Sequence, residues 1–281
     1  MSTAFDQLAI EAEKAVKDLG IPTCPAILGK ITRESAAAEP DFRRIGQWIS
    51  EDVSLAAAML KTVNSPFYGL QRKAESVHQA LMFLGLRTVS LIVTGLMLRQ
   101  ALAGGTSPAL VAFWERSARI AAASARVAQE TRAVDRDLAY TFALFRDCGV
   151  PLIAKKYAEY EGLLVSGGSD SEKLIALEVE GYGVHHAMVG AELARSWGLG
   201  VEMCDAISHH HDYPISQNDR ANAGRSSLRL VAVGWIADQL ASSEFVPLDP
   251  PAGADFVLET LRMDVTELGR LITRLKAAGS A

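Results

Sequence analysis

From residue 86 to residue 102 the chain is almost wholly apolar, and this segment constrains the fold more than any other. A helix of that composition has too little polar surface to face water, so it predicts a central buried helix. Its most apolar part, residues 89–97, is too short to span a bilayer and is soon followed by Arg99. Elsewhere Ala, Leu, Arg and Glu recur at three- to four-residue spacing, and runs of alternating β-branched residues are scarce. That pattern predicts an all-α fold. A hydrophobic fraction of 49% against 22% charged residues supports a packed core rather than disorder.

The periodicity predicts helices over residues 5–19, 25–35, 42–50, 53–63 and 76–83, the last capped by Ser76, followed by the apolar helix 86–102. Asn64, Ser65 and Pro66 interrupt the pattern, and Gly69 ends the turn. Residues 103–108, small, polar and rich in Gly and Pro, form the best internal boundary. A second helical set is predicted at 109–131, 137–160, 171–182, 185–197, 201–209 and 226–241, with a polar loop over 212–224. Residues 245–253, which hold Pro247, Pro250 and Pro251, read as extended, and a last helix or pair covers 256–278. The expected organisation is a helical part at 1–103, a second at 104–245 and a C-terminal helical extension at 246–281. The first two are expected to share an interface built partly on residues 86–102.

A net charge of -5 gives no global attraction to phosphate backbones, so no nucleic acid partner is expected. Cys24, Cys148 and Cys204 are far apart and odd in number, and read as reduced core thiols. The N-terminus has early acidic residues and no apolar run of signal-peptide length. A cytoplasmic chain with no membrane association is expected.

Five of the six histidines are His185, His186 and the run His209, His210 and His211. Imidazole is a common metal ligand, so such clustering raises a metal hypothesis. Placement at helix ends as surface or packing residues explains it equally. Helical residues turn by about 100° each, so the three consecutive histidines cannot all converge on one ion if they are helical.

Two longer stretches carry a resemblance. The first runs from Leu177 through Glu178, Gly181, Tyr182, His185, His186 and Gly190 to Leu199, followed by Ala206–Ile207–Ser208 and the histidine run to Asp212. The second is residues 48–69, ending Val63-Asn64-Ser65-Pro66-Phe67-Tyr68-Gly69, continued by residues 76–87. Together they resemble the HDOD family, regulatory relatives of the HD-type metal-dependent phosphohydrolases, over roughly residues 21–241. The resemblance implies an all-helical fold, a helical N-terminal subdomain packed on a degenerate HD-like helical subdomain, and a role in signal transduction. In active HD hydrolases an early His, a His-Asp pair and a late Asp hold the metal. The corresponding positions here are Arg116, then Arg146 with Asp147, then Asp238. His186, His210 and His211 fall on auxiliary histidines of some HD subfamilies.

A guanidinium has no acceptor and keeps its charge, so it cannot ligate a cation. At about 5 Å it opposes a divalent ion by on the order of 6 kcal/mol at an effective dielectric of about 20. Arg116 or Arg146 is therefore expected to take over the metal's electrostatic role by pairing with Asp147 or Asp238, the alternative being that both reach out to solvent. The expectation is a non-catalytic regulatory protein with no cofactor and no catalytic metal. It would act through contacts with other signalling proteins, gated by a nucleotide or other anion in the old cleft. The competing expectation is a phosphohydrolase of nucleotides or cyclic dinucleotides with a displaced site. Asn64, Ser65, Tyr68 and Gly69 read as a structural motif: Asn64 and Ser65 order a turn, while Phe67 and Tyr68 pack. Gly167 and Gly168, before Ser169 and Asp170, read as a loop and helix cap.

Overall fold

Two compact units divide the chain: Pro22–Ala103, and a second that joins the residues up to Ile21 to those from Gly104 onward. The structure, a computed structural model, describes residues 16, 18–102, 107–167, 171–211, 225–241 and 253–279. The helix expected over 5–19 lies mostly outside the described residues. So do most of the 103–108 boundary, the loop and cap at 168–170, the loop at 212–224 and nearly all of the extended stretch at 245–253.

In the Pro22–Ala103 unit, α1 (Ala26–Ser35), α2 (Phe42–Glu51) and α3 (Val53–Val63) each pack on α4 (Val77–Leu102). Helix starts follow local chemistry. Asp41 accepts from the backbone N–H groups of Arg43 and Arg44, and Asp52 from that of Leu55, satisfying donors the helices cannot use. Ser76 caps α4 as its sequence predicts: its Oγ accepts from Gln79 N at 3.1 Å, while Gln79 Oε1 accepts from Glu75 N. Gly85, at φ 78°, breaks α4 into the two helices read from the sequence; a side chain there would carry left-handed strain. Among the described residues, α4 alone is long and apolar enough to cross a membrane by length and composition. Its Val89, Ile92, Val93 and Leu98 are buried, alongside Ile45, Ile49, Leu55 and Met59 of α2 and α3, so it reads as a core helix.

The turn after α3 is ordered by Asn64. Its Nδ2 donates to Ala74 O at 2.8 Å and its Oδ1 accepts from Ala74 N at 2.7 Å. Ser65 Oγ donates to Thr62 O, and Tyr68 is buried with Phe67 edge-on to it.

The second unit holds α5 (Pro108–Thr131), α6 (Arg136–Phe145), α7 (Gly149–Lys156), α8 (Tyr160–Gly167), α9 (Ser171–Tyr182), α10 (His186–Ser196), α11 (Val201–Ser208), α12 (Arg225–Ala241), α13 (Ala254–Leu261) and α14 (Val265–Gly279). Helices α5, α6 and α12 pack together around Ile120, Ala121, Ala143 and Ala237. Helix α10 lies against α7 and α11, and α11 against α12. The described residues contain no strand.

One expected helix needs correction. Residues 137–160 do not form one helix; the chain turns at residues 146–148 and again at 157–159. Pro151 lies in the first turn of α7, where its missing N–H costs nothing, but a helix continuing through it would lose a bond. Gly149 lets the start of α10 approach this turn closely, because a Cβ there would lie 2.1 Å from the carbonyl oxygen of His186. In the C-terminal segment, α13 and α14 pack on α12, and Arg126 Nη2 donates to Leu275 O at 2.8 Å. Near the N-terminus, Lys156 Nζ of α7 donates to Asp18 O at 3.0 Å.

Candidate functional site

The break after α6 creates the site. A continuous helix would send Arg146 and Asp147 to faces about 100° apart. In the turn that replaces it, Arg146 Nε donates to Asp147 Oδ2 at 3.1 Å. Arg146 is buried, and it reaches α12 at two positions one turn apart: Nη1 donates to Gly234 O at 3.4 Å and Nη2 pairs with Asp238 Oδ2 at 2.6 Å. From α5, Arg116 Nη2 pairs with Asp238 Oδ1 at 3.1 Å, though its own side chain is 50% exposed. Both arginines thus bind carboxylates, and Arg146 bridges the two.

The second oxygen of Asp147 faces the histidines. His210 Nε2 is 3.1 Å from Asp147 Oδ1, and His186 Nε2 is 3.6 Å from the same atom. His186 Nε2 and His211 Nε2 are 2.9 Å apart. One ligating atom from each of Asp147, His186, His210 and His211 lies within 4.8 Å of the others. The histidine run is not helical here: α11 ends at Ser208, and only His210 and His211 turn inward. His209 is exposed and bonds to Asp205 on its own helix. His185, the residue before α10, is not part of the cluster.

Two residues of the site carried no expectation. Glu178 of α9 is fully buried. Its Oε2 accepts from His186 N at 2.9 Å and from His186 Nδ1 at 2.8 Å, and Tyr160 OH donates to Oε1. The signal was in the sequence: Glu178 follows Leu174 and Ile175 at four and three residues, which places a carboxylate on the half-buried face of its helix. Tyr160 had no sequence signal beyond its apolar surroundings.

Burial opposes a charge on Asp147, yet Arg146 and His210 hold its carboxyl well below the usual range. Burial also opposes ionisation of Glu178, but His186 and Tyr160 lower its pKa. Burial disfavours a proton on His186, and Glu178 outweighs it, so that pKa rises. Burial and the neighbouring imidazoles push His211 down.

The ligand set implied by the HD resemblance does not fit a metal. Two of its four positions hold guanidinium groups without lone pairs, and both are bonded to the late Asp.

The chain belongs to the HDOD domain family, which matches it over residues 21–213. Three solved structures share the fold. An HDOD domain protein of unknown function from Geobacter sulfurreducens aligns at TM-score 0.68 and 21% identity, over 95% of this chain and 96% of that one. A candidate phosphohydrolase from Shewanella amazonensis aligns at 0.69 and 18%, over 94% of each. A candidate signal transduction protein from Marinobacter aquaeolei aligns at 0.62 and 19%, over 97% of this chain and 65% of that one. At these identities the likeness is one of fold, and one fold carries many functions. The chain spans less than half the length of the curated relatives it matches, 42% of an uncharacterized Treponema pallidum protein and 15% of YuxH from Bacillus subtilis.

Proposed function

We propose that this chain is a non-catalytic, cytoplasmic regulatory module that works through contacts with other signalling proteins. The observation that carries the reading is the Arg146 bridge between Asp147 and Asp238. In an HD-type hydrolase those two carboxylates would share a cation. Here a fixed guanidinium holds both, and Arg116 takes the remaining oxygen of Asp238. A second positive charge placed between them would meet the repulsion estimated above, and a hydrolytic ion also needs an open position for water. A gating nucleotide or other anion gains little from the two arginines, since each is matched by a carboxylate.

One observation favours a second reading. The Asp147, His186, His210 and His211 cluster offers the ligand set that a displaced-site phosphohydrolase would need. The test is turnover of a chromogenic phosphodiester, nucleotides and cyclic dinucleotides by the full chain, with Mg2+, Mn2+, Fe2+ or Zn2+ supplied. The expected result is no turnover above the metal-only control. Stoichiometric, saturable hydrolysis would replace the proposal with the displaced-site enzyme. The Arg116→His, Arg146→His double variant tests the cause: it is expected to bind one divalent ion more than the parent.

A further inference from the structure

We infer that Asp147, His186, His210 and His211 form a site for one divalent transition-metal ion of the zinc class, held by three imidazole nitrogens and one carboxylate oxygen. The inference rests on the non-hydrolytic reading above: the ion fastens helices and activates no water.

Hydrogen-bond direction carries it. His210 Nδ1 lies 2.7 Å from Ile207 O. A carbonyl only accepts, so Nδ1 carries the hydrogen. His186 Nδ1 faces both oxygens of Glu178, a carboxylate that also accepts from His186 N and Tyr160 OH. That Nδ1 also carries a hydrogen. In the neutral rings both Nε2 atoms are then bare lone pairs, and both point at Asp147 Oδ1. His211 Nε2 joins them at 2.9 Å from His186 Nε2. Lone pairs crowded against a carboxylate oxygen need a proton or a cation among them, and one ion serves all four atoms where a proton serves two. An imidazole that donates its far N–H to a carboxylate or carbonyl while its near nitrogen faces a common centre has the arrangement of a metal ligand.

Charge and spacing agree. Three carboxylates, Asp147, Glu178 and Asp238, stand against two guanidinium groups, Arg116 and Arg146. Before the imidazoles are counted, one negative charge is left over, and a cation among the histidines would match it. A tetrahedral ion with ligands at about 2.0–2.1 Å separates them by roughly 3.3 Å. The named contacts here run from 2.9 to 3.6 Å. Arg146 binds the opposite oxygen of Asp147, so it fills the place of a second ion without entering this one. Three imidazoles and a carboxylate suit zinc-class ions better than Mg2+ or Ca2+. Four protein ligands close the coordination sphere, as in structural zinc sites. The ion would tie the turn between α6 and α7 to the start of α10 and the end of α11.

The experiment uses the full chain, stripped with a chelator and titrated with Co2+ as a coloured probe. The expected result is saturation at one equivalent with the strong visible absorption of four-coordinate cobalt, bleached by one equivalent of Zn2+. His211→Ala, and His211→Gln should the first fail to fold, are expected to abolish that spectrum. Glu178→Gln should weaken affinity by roughly 10–100-fold while keeping the stoichiometry. His209→Ala, whose ring faces Asp205, should bind as the parent does. No saturable binding, a weak six-coordinate spectrum, or unchanged binding by the His211 variants would overturn the site. Phosphodiester turnover by the zinc-loaded parent would instead overturn the non-hydrolytic reading and leave the ion site standing.

Discussion

The two halves of the pocket meet at one carboxylate and solve the same problem differently. On the α12 side, Asp147 Oδ2, Arg146, Asp238 and Arg116 match charge with charge. On the α10 and α11 side, Asp147 Oδ1 faces the Nε2 atoms of His210 and His186 at 3.1 and 3.6 Å. The first half is complete as it stands. The second has its outer hydrogen bonds in place, to Glu178 and Ile207 O, and is where we place the ion. One carboxylate thus joins a side matched by guanidinium groups to a side lined by imidazoles.

The largest effect should come from breaking the complete half. Arg146→Met keeps the side chain's bulk and removes the charge, leaving Asp147 and Asp238 without their shared partner. Removing one member of a buried pair costs about 3–5 kcal/mol. Urea denaturation of the metal-free protein should show a loss of that size. A loss under about 1 kcal/mol would mean that the guanidinium does not organise this half.

Next is the outer support of the histidine half. Glu178→Ala leaves His186 N, His186 Nδ1 and Tyr160 OH without their buried acceptor. Each stranded group costs about 1–3 kcal/mol, with water entering the new cavity offsetting part of the sum. We expect a loss of about 2–4 kcal/mol in the absence of metal, read by the same titration. Equal stability in parent and variant would show that the His186 ring is held by packing alone.

A smaller effect follows at the seam. Gly149→Ala drives a methyl group toward His186 O, a backbone atom that cannot swing aside. Overpacking of this kind costs about 1–3 kcal/mol. It should also move the start of α10, so that the His186 ring resonances shift in NMR spectra while those of His209 stay in place.

Much of this arrangement was readable in the chain. Helix α3 runs over the residues its periodicity marks, and Ser76 caps α4 because a hydroxyl before an apolar run satisfies a free N–H. The pairing of the arginines with Asp147 and Asp238 follows from what a guanidinium can bond. The break between α6 and α7 was missed although Pro151 marks it, because the apolar spacing on either side stays helical in phase. Glu178 was missed because its partners are eight and eighteen residues away, and its apolar neighbours Leu174 and Ile175 mark a half-buried face without naming what it meets there. The convergence of His210 and His211 depends on where α11 stops, and helix ends are the part of a periodic pattern that sequence defines least.

The smallest effect should come from Arg116→Ala, and it is the most informative control on the complete half. Arg116 and Arg146 both bind Asp238, at 3.1 and 2.6 Å. Their surroundings differ: the Arg116 side chain is 50% exposed and that of Arg146 only 4%. Water already solvates the Arg116 charge in the folded protein, so the pair gains little over the separated ions and carries the entropy cost of holding a long side chain. The expected loss is about 0–1 kcal/mol, shrinking further when salt is raised, since exposed charges are screened. Asp238 keeps Arg146 throughout, so no carboxylate is stranded. A loss approaching that of Arg146→Met, insensitive to salt, would mean that the two guanidinium groups act as one buried unit and that the α12 side needs both.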